Sequence, residues 1–151
     1  MTTQTFEETQ KEGKEFAKKL FALENNSKAT VVVLYGELGS GKTTFVQGFA
    51  KELGIKKRII SPTFIIVRKY RVRIKDKGLM IKNFYHVDLY RANSEKDLEG
   101  LGLKEILEDP QNIVAIEWGE KLGSLLPKKR WDVRFEYLDK DKRKITINEQ
   151  Y

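Results

Sequence analysis

The chain has 151 residues, the size of one ordinary domain, and a net charge of +7. With no cysteine and a single histidine, His86, it has no disulfide framework, thiolate nucleophile or cysteine zinc site, and a serine hydrolase would have to be built on that one imidazole. The polar N-terminus has no basic segment leading into an apolar one, and no apolar run approaches the length of a membrane span, so a soluble, cytoplasmic protein is expected.

Thr5 with Glu8 three residues on is a capping-box pair, and Phe16, Ala17, Leu20, Phe21 and Leu23 follow at helical spacing, predicting a first helix to about Glu24. Thr30 to Tyr35 is short, β-branched and apolar on both faces, the pattern of a buried parallel strand. A glycine-rich loop follows at once, then a helix to about Leu53 with Gly54 as its stop. Ile59 to Ile74 reads as extended, interrupted at Ser61-Pro62. Asp76, Lys77 and Gly78 supply turn chemistry, and Leu79 to Tyr90 returns as a second extended run, predicting an antiparallel ribbon. Ser94 with Asp97 opens a predicted helix through Leu98, Leu101, Ile106 and Leu107 that stops before Pro110. Ile113 to Ile116 is a second buried strand. Trp131 to Leu138 and Arg143 to Asn148 are two more, joined by the turn at Asp139 to Lys142. Parallel strands linked by helices, with antiparallel additions, predict one α/β domain over residues 1–151.

Charge is uneven along this order. Lys51 to Lys82 holds eleven Lys or Arg against Glu52 and Asp76, which leaves the remainder slightly acidic. Such a segment is a footprint for nucleic acid, a dock for an acidic partner, or a solvated strand face.

Gly36 to Thr43 fits G-x-x-x-x-G-K-[ST] without a mismatch, after a buried strand and before a helix. In such a P-loop, glycines let backbone N–H groups turn inward around phosphate and the helix N-terminus adds its positive dipole end. Lys42 reaches the β- and γ-phosphates, and the Thr43 hydroxyl ligates Mg²⁺. The nucleotide-holding set is Glu37, Leu38, Gly39, Ser40, Gly41, Lys42, Thr43 and Thr44. The magnesium also needs an acid at the end of a neighbouring strand. Glu117 ends the run Ile113-Val114-Ala115-Ile116. Asp88 is the second candidate, in a segment where Tyr85, Val87 and Leu89 face one way and His86 and Asp88 the other. It could reach the metal through water, orient the attacking water, or pair with Arg91. The Asn-Lys-x-Asp segment that guanine-specific small GTPases carry is missing, which favours ATP.

Together the ordered segments Leu34 to Phe45, Ser61-Pro62-Thr63-Phe64, Tyr85 to Arg91, Leu101-Gly102-Leu103 and Ile116-Glu117-Trp118 resemble the TsaE family. These are P-loop ATPases of bacterial tRNA threonylcarbamoyladenosine biosynthesis. The resemblance spans nearly the whole chain and implies a P-loop NTPase fold, a central, largely parallel sheet with antiparallel edge strands and flanking helices. It further implies that Thr43 and Glu117 hold Mg²⁺, that Asp88 is a second essential acid, and that Thr63 lies in a switch-like loop near the γ-phosphate. Arg143 matches a basic residue that contacts nucleotide, with Lys144 beside it. On the same resemblance the protein is an accessory ATPase, not the threonylcarbamoyl transferase. It would act with TsaD and TsaB to permit repeated turnover, with tRNA reached indirectly or through basic segment 56–77. A small-molecule P-loop kinase is the alternative.

Overall fold

The computed structural model describes residues 1–22, 26–59, 66–74 and 81–151. Among these, seven strands form one sheet: β1 (Thr2–Thr3), β2 (Thr30–Tyr35), β3 (Val67–Arg71), β4 (Asn83–Asp88), β5 (Asn112–Glu117), β6 (Arg130–Tyr137) and β7 (Arg143–Gln150). Their spatial order is β1-β7-β6-β2-β5-β4-β3. β4, β5, β2 and β6 run parallel, while β3 and β7 pair antiparallel with β4 and β6. This is the P-loop NTPase architecture, a parallel centre with antiparallel edges. β2 and β5 are central, and every residue of β5 is buried, which explains why both read as continuous apolar runs.

Helices α1 (Phe6–Ala22) and α2 (Lys42–Glu52) cover one face of the sheet; α3 (Leu103–Glu108) and two 3₁₀ segments, Glu95–Leu98 and Gly119–Leu125, cover the other. The start of α1 is fixed as its sequence suggests, because Thr5 Oγ1 accepts the Glu8 N–H at 3.1 Å. The Glu8 carboxylate reaches back to the N–H of Gln4, at 2.6 Å, one residue before the cap. Phe16 on α1 packs on Phe45 and Phe49 of α2, with ring centroids 6.1 and 6.0 Å apart, and edge-on against Trp131 at 5.5 Å. Burying each such side chain stabilises the fold by about 1.5–3 kcal/mol.

Two expectations are corrected. The helix predicted from Ser94 to Pro110 is broken into the 3₁₀ turn and α3, because Gly100 (φ 80°) and Gly102 (φ 70°) take left-handed backbone that a right-handed helix cannot contain. The predicted strand from Ile59 to Ile74 is narrower: among its described residues only Val67–Arg71 is strand. Beyond it the Arg73 N–H turns to the Leu53 carbonyl at 3.1 Å, at the end of α2. Residues 60–65 and 75–80, and with them the Ser61–Phe64 loop and the Asp76–Gly78 turn, lie outside the described residues.

Candidate functional site

Parallel register brings the site together. Leu34 of β2 lies opposite Glu117 of β5, and Glu117 opposite Asp88 of β4, so three strands end at one level. Side-chain alternation places Glu117 with Ile113 and Ala115, and Asp88 with Phe84, on the side of the sheet that α1 and α2 cover. The loop from Gly36 leaves β2 at that level and enters α2 at Lys42. The carboxyl ends of parallel strands at a strand–loop–helix turn are where α/β sheets bind ligands.

Local chemistry shapes the loop. Gly41 caps α2 in left-handed backbone (φ 105°), a conformation strained for any residue with a Cβ. A Cβ at Gly36 would stand 2.7 Å from Ser40 Oγ. That hydroxyl is buried and has no hydrogen-bond partner among the described residues. Lys42 is itself buried, 5% exposed. Its ammonium donates to the carbonyls of Gly36 and of Glu37, the latter at 2.9 Å, so the lysine folds back over the loop. Its Nζ also lies 5.4 Å from the Trp118 ring centroid. Burial pushes the Lys42 ammonium below its ordinary pKa, opposed by the negative charge of Glu117, Asp88 and Glu120.

The acids differ in their surroundings. Glu117 is buried, and its Oε2 accepts from His86 Nε2 at 2.8 Å. His86 is completely buried and its Nδ1 has no partner among the described residues. Asp88 is half-buried and its Oδ1 accepts the Tyr90 N–H at 2.9 Å. Trp118, directly after Glu117, is the one non-glycine residue with positive φ (62°) among the described residues. It packs against Tyr90 with centroids 5.2 Å apart.

Arg143 reaches the loop from β7. A Cβ at Gly41 would meet its Cδ at 3.3 Å, and its buried Nε has no partner among the described residues. Its guanidinium sits 5.7 Å from the ring of Tyr137, whose hydroxyl donates to the Gly39 carbonyl. The structure therefore brings Lys42, Thr43, Asp88 and Glu117 to one end of the sheet and Arg143 against the loop. Lys144 pairs with Thr2 at the sheet edge. Thr63 lies outside the described residues. His86 as partner of Glu117 and Tyr137 as prop of the loop are additions; the lone histidine two residues before Asp88 was the available signal for the first.

The donor set fits a hard divalent cation. Thr43 offers a hydroxyl in the first turn of α2, and Glu117 and Asp88 offer carboxylates. Among the described residues no three of His, Cys, Asp and Glu group as a self-sufficient metal cage.

A profile of the family described as "Threonylcarbamoyl adenosine biosynthesis protein TsaE" matches residues 3–145. The chain is 37% identical over 135 residues to the tRNA threonylcarbamoyladenosine biosynthesis protein TsaE of Haemophilus influenzae, covering 89% of this chain and 79% of that one. It is 38% identical over 153 residues to the protein of that name from Rickettsia bellii, covering 100% and 98%. The crystal structure of Bacillus subtilis YdiB superposes with a TM-score of 0.73 at 29% identity, covering 100% of this chain and 84% of that one.

Proposed function

The chain belongs to the TsaE family of tRNA threonylcarbamoyladenosine biosynthesis proteins, and from that premise we propose that it binds ATP with Mg²⁺ on the Gly36–Thr43 loop and hydrolyses it. The observation carrying this reading is the shared level of Leu34, Glu117 and Asp88, with both carboxylates near enough to Lys42, the first residue of α2, for their charge to act on it. Backbone N–H groups of residues 37–44 would cradle the phosphates, and Lys42, released from its two carbonyls, would turn to the β- and γ-oxygens. Thr43 and Glu117 would hold Mg²⁺, which supplies charge neutralisation at the transferred phosphoryl group. Asp88, also at the mouth of the site, would orient the attacking water. Thr63 remains part of the proposal as a γ-phosphate contact on the strength of the family resemblance.

In this reading the protein is an accessory motor that acts with TsaD and TsaB, and hydrolysis permits repeated turnover of the modifying complex. Chemistry at the γ-phosphate would be read by a docked partner as a loop rearrangement. The test is phosphate release with and without TsaB and TsaD. A low intrinsic rate, stimulated by the pair and lost in Lys42→Ala and Glu117→Ala, is expected. Unchanged rates in both variants refute the site. Transfer of the γ-phosphate to a metabolite instead of water points to a small-molecule kinase.

A further inference from the structure

We propose that the exposed basic side chains on the outer face and edge of β3 form a binding surface for the phosphate backbone of a structured RNA, tRNA in the first place. The inference rests on the family membership and not on nucleotide hydrolysis. Tyr70 and Phe84 point into the layer under α1 and α2, so alternation turns Lys69, Arg71 and Arg73 to the opposite side of the sheet. All three are exposed. On the neighbouring strand Tyr85 and Asn83 stand opposite Lys69 and Arg71, and the Lys69 ammonium lies 5.9 Å from the Tyr85 ring centroid.

The surface continues round the edge. The Arg73 N–H donates to the Leu53 carbonyl at 3.1 Å, and from there the chain runs through Lys56, Lys57 and Arg58, all exposed. Residues 53–59, 66–74 and 81–87 hold eight Lys or Arg and no acid. Among the described residues no ion pair neutralises any of them.

Three features favour RNA over an acidic protein. Lys69 and Arg71 stand two residues apart on β3, about 6.7 Å along the strand, and Arg73 follows two residues beyond its end, so the cations form a row that a phosphate backbone can follow. Their charge is dense where a protein interface would place an apolar, charge-depleted centre; among the described residues Tyr85, half-buried against the core, is the one aromatic on this patch, and nucleic-acid interfaces are the strongly positive ones. Guanidinium groups supply planar forks suited to phosphate. Charges on an edge strand also discourage sheet-to-sheet pairing, but that role does not require the charge of Lys56, Lys57 and Arg58, which lie outside the strand.

The test is binding of a fluorescently labelled, unmodified tRNA transcript to the nucleotide-free full chain across about 50–200 mM KCl. The wild type is expected to show strongly salt-dependent binding. Lys69→Glu/Arg71→Glu/Arg73→Glu should weaken it by about tenfold or more and make the log–log salt slope about 2–3 shallower, about 0.9 for each phosphate no longer neutralised. Phosphate release without partners should be unchanged in this variant. Lys69→Ser/Arg71→Ser/Arg73→Ser, whose circular dichroism is compared with the wild type, should show the same slope change if the reversal variant fails to fold. A wild-type slope below about 1, or equal binding by wild type and both variants, overturns the proposal. So does equal affinity for polyglutamate of matched charge, which would mark the surface as a dock for an acidic protein.

Discussion

Gly48→Ala is expected to destabilise the protein although alanine is the better helix former. Gly48 is buried in α2, and a Cβ there would stand 1.9 Å from the carbonyl oxygen of Gln10 and 2.6 Å from its carbon, both in the backbone of α1. The reciprocal approach is made by Gly13 of α1, whose Cβ would meet the Phe45 carbonyl oxygen at 2.1 Å. Real Cβ contacts stay beyond 3.0 Å, so the two helices would have to part by about 1 Å, and no rotamer change can absorb the clash. Overpacking costs about 1–3 kcal/mol. A rigid backbone obstacle, with the Phe16, Phe45 and Phe49 packing loosened as the helices separate, places this case near about 3. The helix-propensity gain returns about 1 kcal/mol, for a net loss of about 2 kcal/mol.

For a chain of this length that corresponds to a melting temperature lower by about 4–8 °C. Thermal and urea unfolding measure it, and because α2 carries Lys42 and Thr43, ATP affinity below the transition should fall as well. Gly13→Ala opens the same gap, so the double variant should lose less than the sum of the single losses. A Gly48→Ala protein that melts at or above the wild-type temperature would refute the close-packing account and show that propensity dominates.

His86→Leu should raise the Mg²⁺ concentration needed for half-maximal nucleotide binding by about 10–100-fold, because Glu117 loses the donor that fixes its carboxylate; His86→Gln, which keeps an N–H, should recover part of this at comparable stability. Burial lowers the Lys42 pKa, so without ligand the cost of holding it charged is fully present below that value and is relieved as pH rises through it. Bound phosphates favour the charged form, so ATP affinity should decline as pH rises past the lowered pKa, with proton uptake visible by calorimetry in two buffers of different ionisation enthalpy. Arg143→Ala should weaken ATP binding by about tenfold, the value of about one charge-assisted hydrogen bond, while the melting temperature of the ligand-free protein stays close to wild type.

What was legible in the chain is what local chemistry determines. Gly36, Gly41, Lys42 and Thr43 sit within eight residues, and their spacing carries its own meaning. Glu117 was marked by the apolar run before it, since a strand buried on both faces leaves its first polar residue at the mouth. The His86–Glu117 hydrogen bond joins residues 31 apart and depends on the register of β4 on β5, which no short window contains. The parallel pairing of β6 with β2 is hidden for the same reason. Gly13 and Gly48 drew no reading from the sequence, and what they are for appears only when both helices are in place. The helix break did have a signal, Gly100 and Gly102 with a single residue between them, overridden by the apolar periodicity on either side.

β4 ties the two surfaces together and also keeps them apart. Its last residue, Asp88, stands at the P-loop end beside Glu117, while Asn83 and Tyr85 lie on its other face, beside Arg71 and Lys69. From Asp88 the strand runs about 10 Å to Tyr85 and about 17 Å to Asn83, about one and two screening lengths of about 8 Å at physiological salt. The carboxylates at the P-loop therefore act weakly on Arg71, at the far end of the basic face, and more strongly on Lys69. Coupling between the P-loop and Arg71 would have to pass mainly through displacement of β3 or β4, because charge is largely screened over that distance. Reversing Lys69, Arg71 and Arg73 and removing Lys42 therefore test the two proposals at opposite faces of one sheet.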